Sequence, residues 1–436
     1  MKHPKALYLL FFTEMWERFS YYGMRALLTI FLVTSVSEGG FGWNAKDAGQ
    51  LYGIYTGLAY VTPLLGGYLA DRFLGSQYAV LIGATIMALG HGSLALTGVP
   101  FFYLGISLLI IGNGFFKPNI SSMVGQLYPE GSPLKDAAYT IFYMGINIGA
   151  FCGTLICGYL GERIGWHYGF GAAGIFMTMG LINFAFNRKI LGDIGKINRA
   201  SRIENRESNI KLSKFEKDRI VVILVLSFFS IVFWMAFEQA GSSISLFALN
   251  YTDRYIPFFD FTVPASWLQS LNALFVIILA PVFSKLWVIL AERKMSISNP
   301  NKFAIALLIL ALGFGVLVIG SLNIPQSATT ASQSMLWIVG AILLHTIGEL
   351  CLSPVGLSSV NKLAPLKMTS LMFGAWFFAS AIGNYLSGAV GGLIEEISKQ
   401  QSMATFFMIT VIFALLASAI MFLISGKLKK MMHGVE

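Results

Sequence analysis

Charged residues are scarce in this sequence. Asp, Glu, Lys and Arg make up 12% of its 436 residues, whereas hydrophobic residues make up 56%. Soluble domains carry about 25% charged residues, so a chain of this length with half that share cannot cover itself with a water-facing surface. The scarcity of charge therefore excludes a soluble enzyme and predicts an integral membrane protein.

Cysteine and the common catalytic motifs are also lacking. The three cysteines, Cys152, Cys157 and Cys351, lie inside apolar runs, so no disulfide framework is indicated. We find no metal-ligand spacing, no nucleophile paired with a base and no nucleotide-binding glycine loop. We therefore expect neither an enzyme nor a bound cofactor, and any uphill work would have to be driven by an ion gradient.

Long apolar runs fill most of the chain. A membrane-spanning helix needs about 20 mostly apolar residues, and cutting the sequence at its polar, Pro and Gly clusters leaves twelve such stretches. They are 7–33, 47–70, 78–98, 102–126, 137–161, 167–187, 219–249, 265–290, 303–322, 334–361, 369–394 and 403–426. The hydrophilic stretch 187–219 divides them into two groups of six, which predicts an N-terminal bundle (1–187), a basic linker (188–218) and a C-terminal bundle (219–436).

The basic residues are unevenly distributed between the predicted loops. If the spans alternate in direction, 22 Lys and Arg fall on one side of the membrane and four on the other. By the positive-inside rule both termini are then cytoplasmic. The formal net charge of +9 thus reflects topology rather than nucleic-acid binding. We interpret the linker as a cytoplasmic tether, with a lipid or partner site as the alternative.

The two halves show an internal repeat. Gly, Pro, Ser, Leu and Pro recur at equal spacings in the fourth span of each half, as Gly112, Pro118, Ser122, Leu127 and Pro129, and as Gly348, Pro354, Ser358, Leu363 and Pro365. Duplicated six-helix halves resemble the major facilitator fold, in which the substrate site lies near the bilayer midplane. Residues 66–75, GGYLADRFLG, resemble a loop signature of that superfamily. We predict an all-α membrane protein with twelve transmembrane helices in two pseudo-symmetric six-helix bundles.

Seven charged residues remain well inside the predicted spans. They are Glu14, Glu17, Arg18, Arg25, Lys117, Glu238 and Glu349. Each costs about 2.5 to 3.5 kcal/mol at the centre of a membrane, so these residues must pair or face water. In the first span Glu14, Glu17 and Arg18 fall on one helical stripe. Such a cluster can take up and release a proton, although a static ion network that locks helices together is the alternative.

The positions of the other charges suggest a site with two poles. Lys117 precedes Pro118, which bends a helix, and it could bind a ligand or serve as a counter-ion for Glu14 or Glu17. Cations lie in the first half of the chain, while Glu238 and Glu349 lie in the second. A zwitterionic substrate fits this arrangement. His345 stands one turn before Glu349 and could share its proton, but a lone intramembrane His is more often structural.

Five segments resemble the proton-dependent oligopeptide transporters, a branch of the major facilitators. Residues 14–23, EMWERFSYYG, resemble the ExxERFxYYG signature of that family, and residues 142–149, FYMGINIG, resemble its second signature. The other matches are 114–119, 237–243 and 348–358. The resemblance implies a proton symporter that imports di- and tripeptides by alternating access, functions as a monomer and lies in the lipid bilayer of a bacterial inner membrane.

The resemblance also implies roles for individual residues. Those implied in proton coupling are Glu14, Glu17, Arg18 and Lys117. Those implied in substrate binding are Arg18, Tyr22, Tyr60, Lys117, Asn147, Trp234, Asn272, Glu349, Ser353 and Trp376. Arg18 and Lys117 would meet the peptide carboxylate, and its amino end would be held by Glu349, Asn147 and Asn272. Arg25 and Glu238 would form a gating salt bridge.

Two features depart from the usual pattern of the family. Bacterial members usually insert two extra helices between the halves, but this linker is too short and too polar to contain them. The second span also lacks the His found in mammalian members, which excludes coupling through such a residue. The rival substrates are nitrate or an anionic metabolite, and a non-transporting receptor or scaffold is a further alternative. Glu349 argues against nitrate, and the seven intramembrane charges argue against a scaffold.

Overall fold

The computed structural model describes residues 3–129, 132–196, 212–293, 297–365 and 368–435. These residues are almost entirely helical, with twelve helices of 19 to 29 residues and two short ones. The helices are α1 (Lys5–Val33), α2 (Ala45–Leu69), α3 (Ser76–Leu94), α4 (Val99–Gln126), α5 (Pro133–Tyr159), α6 (Trp166–Asn187), α7 (Lys214–Phe237), α8 (Ser243–Asn250), α9 (Trp267–Glu292), α10 (Asn299–Ser321), α11 (Leu336–Leu363), α12 (Thr369–Gly391), α13 (Ile394–Gln400) and α14 (Met403–Met431).

The predicted all-α fold is confirmed, and each predicted span except the seventh coincides closely with one long helix. Within the described ranges, eight helices are long and apolar enough to cross a membrane, or nine if α12 and α13, bent by 41°, form one span. Helix α1 does not meet this criterion because Glu14, Glu17, Arg18 and Arg25 lie inside it. The full number of twelve crossings therefore stays a prediction.

The predicted seventh span is interrupted in the structure. Helix α7 ends at Phe237, the 3₁₀ turn Glu238–Gly241 follows, and α8 continues to Asn250. The sequence of the break, Glu-Gln-Ala-Gly-Ser-Ser, combines small and hydroxyl side chains that hydrogen-bond locally and compete with helical pairing. Ser243, for example, donates to Gln239 Oε1 at 2.8 Å.

The few strands lie between the long helices. The strand β1 (Thr252–Asp253) pairs in parallel with β4 (Gln333–Ser334), and β2 (Tyr255–Ile256) pairs antiparallel with β3 (Phe261–Thr262). In register, Thr252 lies opposite Gln333 and Tyr255 opposite Thr262. The β1–β4 pairing ties together the chain that leaves α8 and the chain that enters α11, whereas β2 and β3 pair within the connection between α8 and α9.

Contacts between Cα atoms divide the chain into two compact units. Unit 1 comprises Met1–Phe31, Val36–Gly40 and Leu58–Ile210, and unit 2 comprises Leu32–Ser35, Phe41–Gly57 and Lys211–Glu436. Unit 1 thus holds α1 except its last two residues, the second part of α2 and α3 to α6. Unit 2 holds the first part of α2 and α7 to α14.

Glycine allows close helix packing within unit 1. A Cβ built on Gly83 of α3 would lie 2.7 Å from the carbonyl oxygen of Gly112 on α4. Helices in membranes associate through small residues of this kind, because lipid provides little hydrophobic driving force between them. Close packing at glycine also occurs on α5, where Gly145, Gly149 and Gly153, spaced four apart, face α1. This packing fixes the backbone that carries the charged stripe.

Large apolar side chains cover much of the outside of both units. Phe186 is 80% exposed and Leu423 is 84% exposed, whereas Phe19 and Phe314 are buried. A water-soluble surface rarely shows apolar side chains on this scale. The exposed side chains are therefore suited to contact with lipid tails.

Candidate functional site

The first cluster of the candidate site lies on α1 in unit 1. Arg18 Nε lies 3.1 Å from Glu14 Oε1, one helical turn away, and donates a hydrogen bond to Glu17 Oε2. All three side chains are buried, with Glu17 completely inaccessible. The structure thus brings together the three residues of the predicted stripe as one ion cluster.

The α1 cluster is incompletely satisfied. Two carboxylates share one guanidinium, so in the ionised state the cluster carries an excess negative charge. Glu14 Oε2, Glu17 Oε1 and Arg18 Nη2 are buried without a hydrogen-bond partner among the described residues. Buried polar atoms are normally paired, because an unmade hydrogen bond costs about 1 to 3 kcal/mol. The cluster therefore has capacity for one more positive group, either a proton or a cation.

Lys117 supplies a cation close to this cluster. It interacts electrostatically with both Glu14 and Glu17. Its Nζ atom also lies 3.9 Å from the centroid of the Tyr60 ring, a cation–π contact. Lys117 is partly exposed, so it can contact both the buried cluster and a ligand.

The position of Lys117 follows from the contact between α4 and the second part of α2. Asn113 Nδ2 donates to the carbonyl of Ala59 at 2.9 Å, and Thr62 Oγ1 donates to the carbonyl of Ile110 at 3.0 Å. Their α2 residues lie on either side of Tyr60, and Asn113 lies one turn before Lys117 on α4. Pro118, inside α4, leaves a backbone carbonyl one turn earlier without its usual partner. The segment before Lys117 is therefore held by hydrogen bonds to α2 as well as by those within α4.

The helix α5 covers the α1 cluster. A Cβ built on Gly149 would lie 3.1 Å from Arg18 Cβ, so no larger side chain fits there without displacement. No role was predicted for Gly149 from the sequence, although its spacing of four from Gly145 and Gly153 indicates a close helix contact. Asn147, between them, donates to the carbonyl of Tyr143 at 2.9 Å within its own helix.

Two other candidate residues of unit 1 lie further along α1. The Arg25 guanidinium carbon is 5.8 Å from the centroid of the Tyr22 ring, and that ring meets Tyr21 edge-on at 5.1 Å. Tyr21 in turn lies 5.1 Å from the Arg18 guanidinium. Aromatic rings therefore connect the guanidinium groups of Arg18 and Arg25 along one helix face.

The second cluster of the candidate site lies in unit 2, between α9 and α11. Asn272 Nδ2 donates to Glu349 Oε2 at 2.9 Å and to Thr346 Oγ1 at 3.0 Å. Thr346 donates to the carbonyl of Ile342 at 2.8 Å, which leaves its lone pairs to Asn272. Glu349 is only partly buried. Its carboxylate is thus oriented by an amide and can accept further donors.

Thr346 was missed by the analysis of the sequence. It lies three residues before Glu349 on α11, and this spacing places both side chains on one face. His345 was left open, and the structure places its ring against Phe314, with a centroid separation of 4.6 Å. Its Nε2 is buried without a partner among the described residues. His345 therefore faces α10 and makes no hydrogen bond to Glu349.

The remaining candidates of unit 2 differ in exposure. Trp234 is partly buried and meets Phe233 and Phe237 edge-on. Trp376 is buried, and its ring lies against Gly356 of α11. Ser353 is partly exposed, four residues after Glu349. Of these three residues, Trp234 and Ser353 therefore have accessible side chains, and Trp376 does not.

Glu238 begins the 3₁₀ turn that interrupts the seventh span. It is 5% exposed, and its backbone carbonyl accepts a hydrogen bond from Tyr52 at 3.5 Å. Glu238 belongs to unit 2 and Arg25 to unit 1. Their gating pair stays a prediction. Among the described residues, no group of three or more His, Cys, Asp or Glu is arranged to hold a metal ion.

Known proteins resemble this chain over its full length. The profile of the POT family matches residues 77–199 and 193–412. The peptide transporter YePEPT of Yersinia enterocolitica is 35% identical over 100% of this chain and 96% of its own. A di-/tripeptide transporter of Lactococcus lactis subsp. cremoris is 31% identical over 99% of this chain and 97% of its own.

Solved structures agree with these relatives. The crystal structure of peptide transporter POT in complex with sulfate matches with a TM-score of 0.89 at 32% identity, covering 99% of this chain and 96% of that one. The alignment with the Yersinia protein extends over 495 positions, more than the 436 residues of this chain. That relative therefore has residues with no counterpart here.

Proposed function

Because this chain belongs to the POT family, whose members are transporters and not enzymes, we propose that it is a proton-coupled importer of di- and tripeptides that works by alternating access. It is a multi-pass membrane protein, and its relatives carry the names peptide transporter and di-/tripeptide transporter. The proposal includes a bacterial inner membrane, cytoplasmic termini and a monomer as the functional form.

The observation that carries the proposal is the incomplete α1 cluster. Glu14 and Glu17 share Arg18, and one oxygen of each carboxylate is buried without a partner among the described residues. The excess negative charge must be balanced by a proton or by Lys117. If the carboxylate of a substrate engages Lys117, the α1 cluster loses its cation and gains affinity for a proton. Proton binding and substrate binding then favour each other.

The cluster in unit 2 supports a substrate with a free amine. The carboxylate of Glu349 is oriented by Asn272 and is partly exposed. A charge-assisted hydrogen bond to an ammonium group contributes about 1.5 to 3 kcal/mol. In the proposal, Glu349 and Asn272 bind the amino end of the peptide, while Arg18 and Lys117 bind its carboxylate. A zwitterion satisfies both sets, whereas nitrate or an anionic metabolite satisfies only the cations.

The other candidates complete the proposed site. Asn147 would also hold the amino end of the peptide. Further hydrogen bonds to the peptide would come from Tyr22, Tyr60 and Ser353. Trp234 and Trp376 would line the space for its side chains. Arg25 and Glu238 would form a salt bridge that breaks and reforms as the site alternates between the two sides of the membrane.

Transport into proteoliposomes tests the proposal. A labelled dipeptide should accumulate above its external concentration when the outside is more acidic, and should only equilibrate when both sides have the same pH. Accumulation without a pH gradient would refute proton coupling. Uptake of labelled nitrate in place of the dipeptide would transfer the assignment to the anion alternative, and the absence of any uptake by folded protein would favour a scaffold.

A further inference from the structure

A basic pocket in unit 1 lies outside the proposed transport site. It has a volume of about 540 Å³ and lies between the first turn of α3 and the chain that leaves α6. Three cations line it, Arg188, Lys189 and Lys196, together with Gln77 and Tyr78. In the described part of the chain, no acidic residue is among its lining residues.

The wall of this pocket is a fixed structure. After α6 the chain forms the 3₁₀ turn Arg188–Leu191, and Gly192 and Gly195 follow with φ values of +58° and +74°, which favour glycine. Gln77 Nε2 donates to the carbonyl of Ile194 at 2.7 Å, and Gly195 N donates to Gln126 Oε1 at 2.9 Å. The segment is therefore anchored to α3 and to the end of α4.

The charge of the pocket is only partly compensated. Lys196 forms a salt bridge with Asp193 at 2.8 Å. The Arg188 guanidinium carbon lies 5.0 Å from the centroid of the Tyr78 ring, which holds that side chain over the pocket without neutralising it. Lys189 is exposed. These four ionic side chains together leave two positive charges, and the first turn of α3 adds the positive end of its helix dipole.

Exposed apolar side chains lie within two residues, in sequence, of the residues that line the pocket. Phe186 is 80% exposed, Ile190 48% and Phe73 59%. Arg188 and Lys189 lie between Phe186 and Ile190 in sequence, at the end of the apolar helix Trp166–Leu191. An anionic group bound by the cations would thus lie next to surface suited to acyl chains. A free ion would not use that surface.

We propose that this pocket binds a phosphate group, and that the phosphate belongs to an anionic phospholipid. The cations select a negative headgroup. The carboxylate of Asp193, next to the lining, is already paired with Lys196, so the ammonium of a zwitterionic headgroup finds no unpaired carboxylate among the described lining residues. The exposed apolar side chains favour a phospholipid over inorganic phosphate. The pocket lies at the start of the basic linker, and its proposed lipid is independent of the transported substrate.

Lipid titration of the purified full-length protein, followed by native mass spectrometry, tests the proposal. The pocket variant is Arg188→Gln with Lys189→Gln. The matched control is Lys429→Gln with Lys430→Gln, which removes two exposed cations at the end of α14. Each cation near an anionic lipid contributes roughly a factor of five. Affinity for phosphatidylglycerol should therefore fall roughly 25-fold in the pocket variant and less than about twofold in the control.

Three outcomes would overturn the proposal. The first is an equal loss of affinity for phosphatidylglycerol in the pocket variant and the control variant. The second is equal binding of phosphatidylglycerol and phosphatidylcholine by the unmodified protein. The third is displacement of the lipid by inorganic phosphate at a concentration similar to that of the lipid. The last outcome would assign the pocket to free phosphate. A measurement on the unmodified protein removes any dependence on folding of the variants. Phosphatidylglycerol with a photoreactive acyl chain should label peptides containing Phe73 or residues 186–196, and labelling confined to other segments would contradict the assignment.

Discussion

Replacing Glu349 by Gln removes a charge from unit 2 without changing the size of the side chain. The Gln oxygen can still accept the 2.9 Å hydrogen bond that Asn272 donates to Glu349 in the structure. The substitution therefore isolates the contribution of the negative charge. A hydrogen bond to a charged group contributes about 1.5 to 3 kcal/mol, so affinity for a dipeptide with a free amine should fall about 10- to 150-fold.

Competition against a labelled dipeptide measures this effect. A free-amine dipeptide should compete far less well in Glu349→Gln than in the unmodified protein. An N-acetylated dipeptide has no ammonium, so its weaker competition should hardly change. Glu395→Gln serves as a matched control, because it removes a carboxylate from α13 that is paired with Lys399 near the surface. If Glu349→Gln retained the preference for the free amine, the proposed binding of the amino end by Glu349 would be wrong.

A second substitution tests whether Thr346 positions Asn272, the residue that orients the Glu349 carboxylate. Thr346→Val keeps the shape of the side chain but removes the acceptor for the second hydrogen bond of Asn272, which measures 3.0 Å. One neutral hydrogen bond contributes about 0.5 to 1.5 kcal/mol. Affinity for the free-amine dipeptide should thus fall about 2- to 10-fold, while that for the N-acetylated one is unchanged. An equal loss for both ligands would indicate general damage to α11 rather than positioning of Asn272.

Three further predictions concern unit 1. Glu17→Gln should abolish accumulation driven by a pH gradient yet preserve dipeptide counterflow, which needs no net proton movement; loss of both in folded protein would favour a static ion network. Lys117→Ala should weaken a normal dipeptide by about 1.5 to 3 kcal/mol and a C-terminally amidated one much less, and equal weakening would restrict Lys117 to the ion cluster. Gly83→Ala should lower the thermal midpoint, since its Cβ would lie 2.7 Å from Gly112 O, whereas Gly92→Ala, in open space on the same helix, should keep or raise it; a similar change in both would contradict close packing at Gly83.

The positions of the long helices could be predicted because a membrane imposes a simple length rule. Apolar runs of about 20 residues are separated by polar, Pro and Gly clusters, and most helix ends lie within a few residues of the predicted ones. The interruption at Glu238–Gly241 could not be predicted by this rule. The residues around it are on average still apolar, and the break depends on local hydrogen bonds such as that of Ser243 to Gln239.

The α1 cluster could be predicted from the sequence for a similar reason. Glu14, Glu17 and Arg18 lie on one helix, so helical spacing alone brings them together. The contact of Asn272 with Glu349 joins α9 to α11, and no spacing within one helix encodes it. Thr346 was overlooked because Thr inside an apolar helix usually bonds to its own backbone. It does so here, and it accepts from Asn272 as well.

The energetics of the α1 cluster favour a working role over a static one. A buried ion network gives little net stability even when it is complete, because desolvation offsets the attraction between its charges. Among the described residues this network is incomplete: Glu14 Oε2, Glu17 Oε1 and Arg18 Nη2 have no hydrogen-bond partner, and each such atom costs about 1 to 3 kcal/mol when it stays unpaired. Apolar side chains of similar volume would hold α1 against Gly149 and Gly153 at lower cost. This balance supports the proposal that the cluster gains a proton or exchanges a cation during transport.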